Sequence, residues 1–282
     1  MTMNVLLAGC GDLGCEVARQ LVSAGHGVTG LRRSEAALPD GVNRLQADVT
    51  RAETLADLAQ VHPDILVYCV AADAHTDESY RLHYVDGLRN VLAALAGSES
   101  LRHVFFVSST GIYGQQSDDI LDETVAPVPA DFSGIRMQQA EDLLKTLAFP
   151  ATALRLSGIY GPGRNRMIRT AREPQTWPAH NRWTNRIHRD DAARFITFLI
   201  ANLEKGTALE DCYLVTDSRP VPYYEVLQWL AAQMGVNTDQ VETPAAGGAK
   251  RLSNARMLNT GFTLRYPDYV SGYSRLLATE SL

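Results

Sequence analysis

The chain reads as an α/β protein, a doubly wound parallel sheet with a smaller C-terminal α+β lobe. Three observations predict it. Apolar strand-like runs alternate with helical patterns from the N-terminus to about residue 110. A glycine turn, Gly9-x-Gly11-x-x-Gly14, separates the first run from the first helical pattern. The 282 residues are too many for one small domain and suit a large α/β domain plus a minor lobe.

The first strand is Val5-Leu6-Leu7-Ala8, and Leu13, Val17 and Leu21 repeat at helical spacing after the turn. Gly9 allows the tight turn, Gly11 lets a pyrophosphate approach the backbone, and Gly14 lets the helix pack close to the strand. Free N–H groups at the helix start, around Asp12 and Leu13, favour an anion there because the helix dipole reinforces them. Residues 28–31 form the second strand. Folds of this type that hold NAD place an acid about twenty residues past the glycines, on the ribose 2′-hydroxyl. Arg32 and Arg33 occupy that place here. Their guanidiniums suit a 2′-phosphate and so favour NADP(H) over NAD(H). Read instead as solvated turn arginines, they carry no preference.

The third strand, 45–47, leads to Asp48 and Val49. Asp48 suits either an adenine amino group or the cap of a helix starting near Ala52. The run 65–70 is apolar throughout, as a strand buried on both faces must be. Ala71 and Ala72 follow it, small enough for a cofactor to lie against the backbone. A helix spans about 78–95, and a fifth strand over 103–107 ends in Ser108 and Ser109. Ligands bind beyond the carboxyl ends of such strands, where these residues all fall.

Composition narrows the function. A net charge of −6 argues against general nucleic-acid binding. No apolar run reaches membrane-spanning length, and the first four residues lead straight into a strand, so the cytoplasm is the expected compartment. The four cysteines, Cys10, Cys15, Cys69 and Cys212, lack metal-ligand spacing, so no metal is expected and reduced packing thiols are.

Four further motifs resemble the extended short-chain dehydrogenase/reductases, the NAD-dependent epimerase/dehydratase group. They are Ser108-Ser109-Thr110-Gly111-Ile112-Tyr113-Gly114, the Glu123, Pro127 and Pro129 connector, the run 154–163 that ends Tyr160-Gly161-Pro162-Gly163, and Ile187-His188-Arg189-Asp190-Asp191. The resemblance implies a Rossmann domain over 1–160 with returning segments near 186–216, and a mainly substrate-binding lobe over 161–282. It also implies a homodimer through a four-helix contact.

One departure stands at the family's catalytic Tyr-x-x-x-Lys. Aligned on Ala140-Glu141, Ser133 replaces the tyrosine and Met137 the lysine. No tyrosine lies between Tyr113 and Tyr160, and none of the three lysines (Lys145, Lys205, Lys250) has a tyrosine four residues before it. The glycine turn also differs from the family's G-x-x-G-x-x-G. Both departures resemble an atypical branch that lacks the pair, and the overall pattern is similar to small bacterial epimerase/dehydratase-like proteins. In the family the tyrosine exchanges a proton with the substrate oxygen while the lysine lowers its pKa. Losing such a group typically costs ~10²–10⁴-fold in rate. Ser109 is a candidate to polarise a carbonyl, or a strand-end serine bonded to backbone. Tyr113 offers a phenol, or a packing ring.

Residues 164–189 hold seven arginines against one acid, Glu173, together with Trp177 and Trp183. The family's substrate loop lies here. Arginines with aromatics suit an anionic ligand carrying a flat ring or a sugar, such as a nucleotide-sugar. They also suit a solvated loop, or pairing with acids such as Asp118, Asp119 and Asp122. Ser133, Arg164, Arg166 and His188 are the candidate substrate contacts; His188 reads as a structural or ligand-contacting histidine, or as a proton donor near neutral pH. The expected function is an NADP(H)-binding, epimerase/dehydratase-like protein acting on an anionic small molecule by a non-standard mechanism. The alternative is a catalytically inactive NADP(H) sensor.

Overall fold

A computed structural model describes residues 2–115 and 119–279. Its centre is a seven-stranded sheet built from β1 (Asn4–Ala8), β2 (Gly27–Arg32), β3 (Val42–Gln46), β4 (Ile65–Tyr68), β5 (His103–Ser109), β6 (Ala151–Leu156) and β7 (Cys212–Val215). The order across the sheet is β7-β6-β5-β4-β1-β2-β3, and the pairings of β1 with β2 and β4, β2 with β3, and β4 with β5 are parallel. The chain runs outward from β1 to β3, then returns to lay β4 on the other side of β1. That reversal is where open sheets of this kind leave a crevice for a ligand.

The expected α/β class is therefore present, and burial explains it. All four residues of β4 are buried, as are Val5 to Ala8 in β1. Helix α1 (Asp12–Ser23) turns Leu13, Gly14, Val17, Ala18 and Leu21 inward, one stripe at helical spacing. Beyond β4 one helical run contains α2 (Asp77–Tyr80), a π-turn over Arg81–Asp86, and α3 (Gly87–Ala94). The buried Tyr68 hydroxyl donates to the His83 carbonyl inside the π-turn, and His83 Nδ1 lies 2.8 Å from the Ser79 carbonyl. Helix α4 (Phe132–Leu144) follows β5.

The chain divides into two compact units. The first comprises residues 1–114, 127–155 and 192–213; the second comprises 115–126, 156–191 and 214–282. Residues 158–160 and 186–188, assigned from sequence to the larger domain, group with the second unit because they pair with each other as a parallel ribbon. The second unit packs Tyr160, Ile168, Trp177, Leu227, Leu230 and Tyr273 into its own core. Among the described residues no helix is long and apolar enough to cross a membrane.

The glycines of the turn differ in what they tolerate. Gly9 has φ +95°, and a Cβ there would lie 2.6 Å from the Cys69 and Val70 backbone. A Cβ on Gly14 would lie 2.4 Å from the Gly9 carbonyl oxygen, whereas one on Gly11 would meet nothing within 4 Å. Gly14→Ala should therefore lose about 1–3 kcal/mol, the usual cost of overpacking, while Gly11→Ala should stay within about 0.5 kcal/mol of the parent. Urea unfolding of the two variants checks this; equal losses would refute the packing role of Gly14.

Candidate functional site

The glycine turn is held from both sides by backbone hydrogen bonds. The Gly9 and Cys10 amides donate to the Leu31 carbonyl of β2 at 3.0 and 3.2 Å, and the Cys69 amide donates to the Ala8 carbonyl at 2.7 Å, so both neighbouring strands brace the turn. Gly11 occupies the N-cap of α1, and no side chain caps the helix. Space over Gly11 and the helix start therefore suit a pyrophosphate. Gly11 and Asp12 are exposed, whereas the Leu13 side chain is buried, so a nucleotide would meet Leu13 only through its backbone. Cys10 and Cys15 are free thiols 3.7 Å apart, and burial pushes Cys10 up to about 12, which keeps it protonated.

The two arginines beyond β2 behave differently. Arg32 is half-buried, its Nη1 3.5 Å from the Ala37 carbonyl. Arg33 is exposed and clamps the Asp73 carboxylate with both Nη atoms, the Nη1–Oδ2 distance being 2.6 Å. Hydrogen bonds from Arg33 hold the Asp73 carboxyl below the usual range. The buried His83 places Nε2 3.2 Å from the same carboxylate.

Asp48 uses Oδ1 to accept from the Thr50 amide and hydroxyl at 2.9 and 2.7 Å. It thus caps the turn at Thr50; the N-cap of the 3-10 helix Ala52–Val61 is Arg51. Burial alone would raise its pKa, but the Thr50 hydrogen bonds and nearby Arg33 prevail and lower it. The Val49 side chain is buried, leaving only its backbone for a ligand. Ala71 is exposed, and the Ala72 amide donates to the Tyr84 hydroxyl at 3.3 Å.

Two expected contacts lie inside the protein. Ser108 is buried and donates to Glu141 at 2.6 Å. Glu141 is also buried, and Arg155 grips it from Nε and Nη2, the shortest bond being 2.7 Å. Arg155 Nη1 donates to the Tyr113 hydroxyl at 2.5 Å, and its guanidinium lies 5.1 Å from that ring's centre. Tyr113 is 1% exposed, so the phenol read as catalytic is a structural partner of a buried cation. Ser108 likewise keeps its side chain from any cofactor. Ser109 is half-buried and accepts from the Gly111 amide at 3.0 Å. That leaves its own O–H as a donor.

At the head of α4, Asp131 caps the helix through the Ser133 and Gly134 amides at 2.9 and 3.1 Å. The Ser133 hydroxyl donates to the same Asp131 oxygen at 2.6 Å. Met137, one helical turn on, is 4% exposed. Arg136 is paired with Asp77 at 2.7 and 2.8 Å. Beside this helix start the rings of His75, Tyr80 and Phe132 gather, with His75 5.0 Å from Phe132 and Tyr80 5.5 Å from it. Sequence reasoning missed this group; only the crowding of aromatic types in the stretch 75–84 hinted at it.

The second unit treats its arginines unequally. Arg164, Arg166, Arg169, Arg172 and Arg182 are exposed, whereas Arg186 is buried. Trp177 belongs to the core and donates to the Thr170 carbonyl at 2.9 Å; Trp183 lies under Arg251, 5.0 Å away. Trp177 therefore offers no open stacking face, and one face of the half-buried Trp183 carries a guanidinium. His188 is 1% exposed and packs against Tyr266 and Tyr160 at 4.0 and 5.2 Å. Its Nδ1 accepts from the Asp190 amide at 3.2 Å, and burial lowers its pKa. The ring therefore stays neutral and enclosed, which excludes the proton-donor reading and leaves the structural one. Asp191 is also buried, accepting from the Arg265 and Tyr266 amides at 2.9 and 2.7 Å. Asp118 lies outside the described residues.

Comparison with known proteins adds an independent line. Residues 5–213 match the model of the NAD dependent epimerase/dehydratase family. A Methylobacillus flagellatus protein, assigned provisionally as an NAD-dependent epimerase/dehydratase, is 54% identical with a TM-score of 0.91, over 99% of this chain and 98% of that one. Protein YeeZ of Escherichia coli K12 is 27% identical over 94% of this chain and 97% of its own length. The UDP-glucose 4-epimerase of Thermus thermophilus, solved with NAD, shares the fold at a TM-score of 0.76 and 19% identity, over 96% of each chain.

Two outcomes follow from the buried charges. Glu141→Ala should leave Arg155 uncompensated and cost about 3–5 kcal/mol, read as a fall in the urea midpoint; a loss below about 1 kcal/mol would refute the pairing's role. Asp217 is 1% exposed, and burial raises its pKa from 3.8 to about 7. Because the folded value lies above the unfolded one, its contribution is complete below pH ~4 and disappears as pH rises through about 7. Thermal stability should thus fall from pH 5 to pH 8, and Asp217→Asn should flatten that slope; an unchanged slope would exclude Asp217 as its source.

Proposed function

Since the chain belongs to the NAD-dependent epimerase/dehydratase family, we propose that it is an atypical member that binds NADP(H) on its glycine turn and acts on an anionic small molecule, such as a nucleotide-sugar, without the family's tyrosine–lysine pair. The observation that carries the nucleotide is the open space over Gly11 at an α1 start that no side chain caps. NADP(H), when bound, supplies hydride chemistry. The residues suited to hold it are Gly9, Gly11, Asp12 and Gly14 at the pyrophosphate, Arg32 and Arg33 at a 2′-phosphate, and Ala71 and Ala72 along the nucleoside. Ser109 is the hydroxyl at the end of β5 suited to donate to a substrate oxygen. Arg164 and Arg166 are exposed cations suited to an anionic substrate.

A second reading, a nucleotide sensor without turnover, draws on the head of α4. There the Ser133 hydroxyl is engaged by Asp131, and Met137 is buried. Methionine cannot lend charge to a neighbouring acid, and serine's own pKa is far too high for proton exchange near pH 7. Oxidation of NADPH in the presence of sugar nucleotides or simple ketones separates the two. Turnover that survives Ser109→Ala would exclude Ser109 as the donor.

The cofactor is tested by titrating the purified protein with NADPH and NADH and following nucleotide fluorescence. Saturable NADPH binding about tenfold tighter than NADH is expected, the equivalent of about 1.4 kcal/mol from charge-assisted hydrogen bonds. A preference for NADH, or binding of neither, would overturn the reading.

A further inference from the structure

The Arg33–Asp73 pair spans the candidate nucleotide site. In the sheet β1 lies between β4 and β2. Arg33 is the first residue past β2, and Asp73 lies in the segment past β4, so the pair joins the two chain segments that flank the glycine turn. Both segments are braced against that turn. The Leu31 carbonyl accepts from the Gly9 and Cys10 amides, and the Cys69–Val70 backbone leaves no room for a Cβ on Gly9. The pair is also exchangeable, with 53% of the Arg33 side chain and 47% of Asp73 exposed. Asp73 faces His83 as well, so it does not depend on Arg33 as its sole polar neighbour.

We propose that Asp73 is a nucleotide-discriminating residue, which holds Arg33 across the glycine turn and must release that guanidinium before the 2′-phosphate of NADP(H) can take it. The proposal rests on the NADP(H) reading above. A carboxylate and a phosphate seek the same donor fork of an arginine, so they compete for it. A carboxylate left beside a bound phosphate also repels it. NAD(H), which has a neutral 2′-hydroxyl, neither needs the exchange nor suffers the repulsion. Asp73 thus moderates a preference that Arg33 creates.

The test uses the full chain and its Asp73→Asn variant, each titrated with NADPH and NADH at low and at physiological salt. An exposed ion pair is worth roughly two- to fivefold in an equilibrium. Asp73→Asn is therefore expected to tighten NADPH binding by about that factor and to leave NADH unchanged. Asp73→Ser should act in the same direction, and thermal melts confirm that both variants fold. In an Arg33→Ala background, Asp73→Asn should lose most of its effect on NADPH. Unchanged or weaker NADPH binding by Asp73→Asn, while Arg33→Ala weakens NADPH, overturns this proposal alone. Weaker NADH binding by Asp73→Asn overturns it too, because Asp73 would then be serving the ribose. A parent protein that prefers NADH, or whose NADPH affinity ignores Arg33→Ala, overturns the NADP(H) reading and this proposal with it.

Discussion

The buried pair of Glu141 and Arg155 holds the first unit's working end in place. A carboxylate and a guanidinium out of water are tolerated only when their remaining hydrogen-bonding capacity is met. Ser108 and Tyr113 meet part of it. Four residues from β5, the loop after it, α4 and β6 thereby become one polar unit inside an apolar interior. The positions of Ser109 and of the head of α4 are consequences of that unit, since each lies within a short stretch of one of its members.

This arrangement also divides conserving the fold from performing chemistry. Motif letters that look catalytic in a linear chain can be architectural. The tyrosine of Tyr113-Gly114 and the arginine of Leu154-Arg155 are bound to each other, and His188 and Asp191 lie inside the second unit. Among the described residues, the surface keeps the uncapped start of α1 behind the glycine turn, the Ser109 hydroxyl and a set of exposed arginines. Family membership therefore informs on the fold more directly than on the reaction.

Much of this was legible in the chain because it is local. Burial makes strands apolar, and the glycine turn's demands fall within six residues, so strand order of appearance, the turn and the first helix can be read directly. Pairings between distant residues cannot. Nothing in the neighbourhood of Arg33 signals Asp73, forty positions away. Residue type also leaves burial open: Trp177 has the composition of a stacking platform but sits in a core, because its indole N–H finds the Thr170 carbonyl there. Asp48 shows the intermediate case. An adenine contact or a helix cap near Ala52 could be read from the chain, whereas the carboxylate closes the turn at Thr50 and Arg51 holds the N-cap position.

The π-turn between α2 and α3 has a mechanical consequence. A helix widens in this way when it contains one residue more than its regular path requires and both ends are already committed. Here one end is tied through Asp77 to Arg136 of α4, and the other buries Leu88 and Val91. The surplus is absorbed in the middle, where Tyr68 satisfies the His83 carbonyl. Closing the turn would rotate Asp77 and Tyr80 by about 100° relative to α3. It also gives His83 its place beside Asp73, so a single widened turn sets a buried imidazole against a carboxylate in the segment past β4.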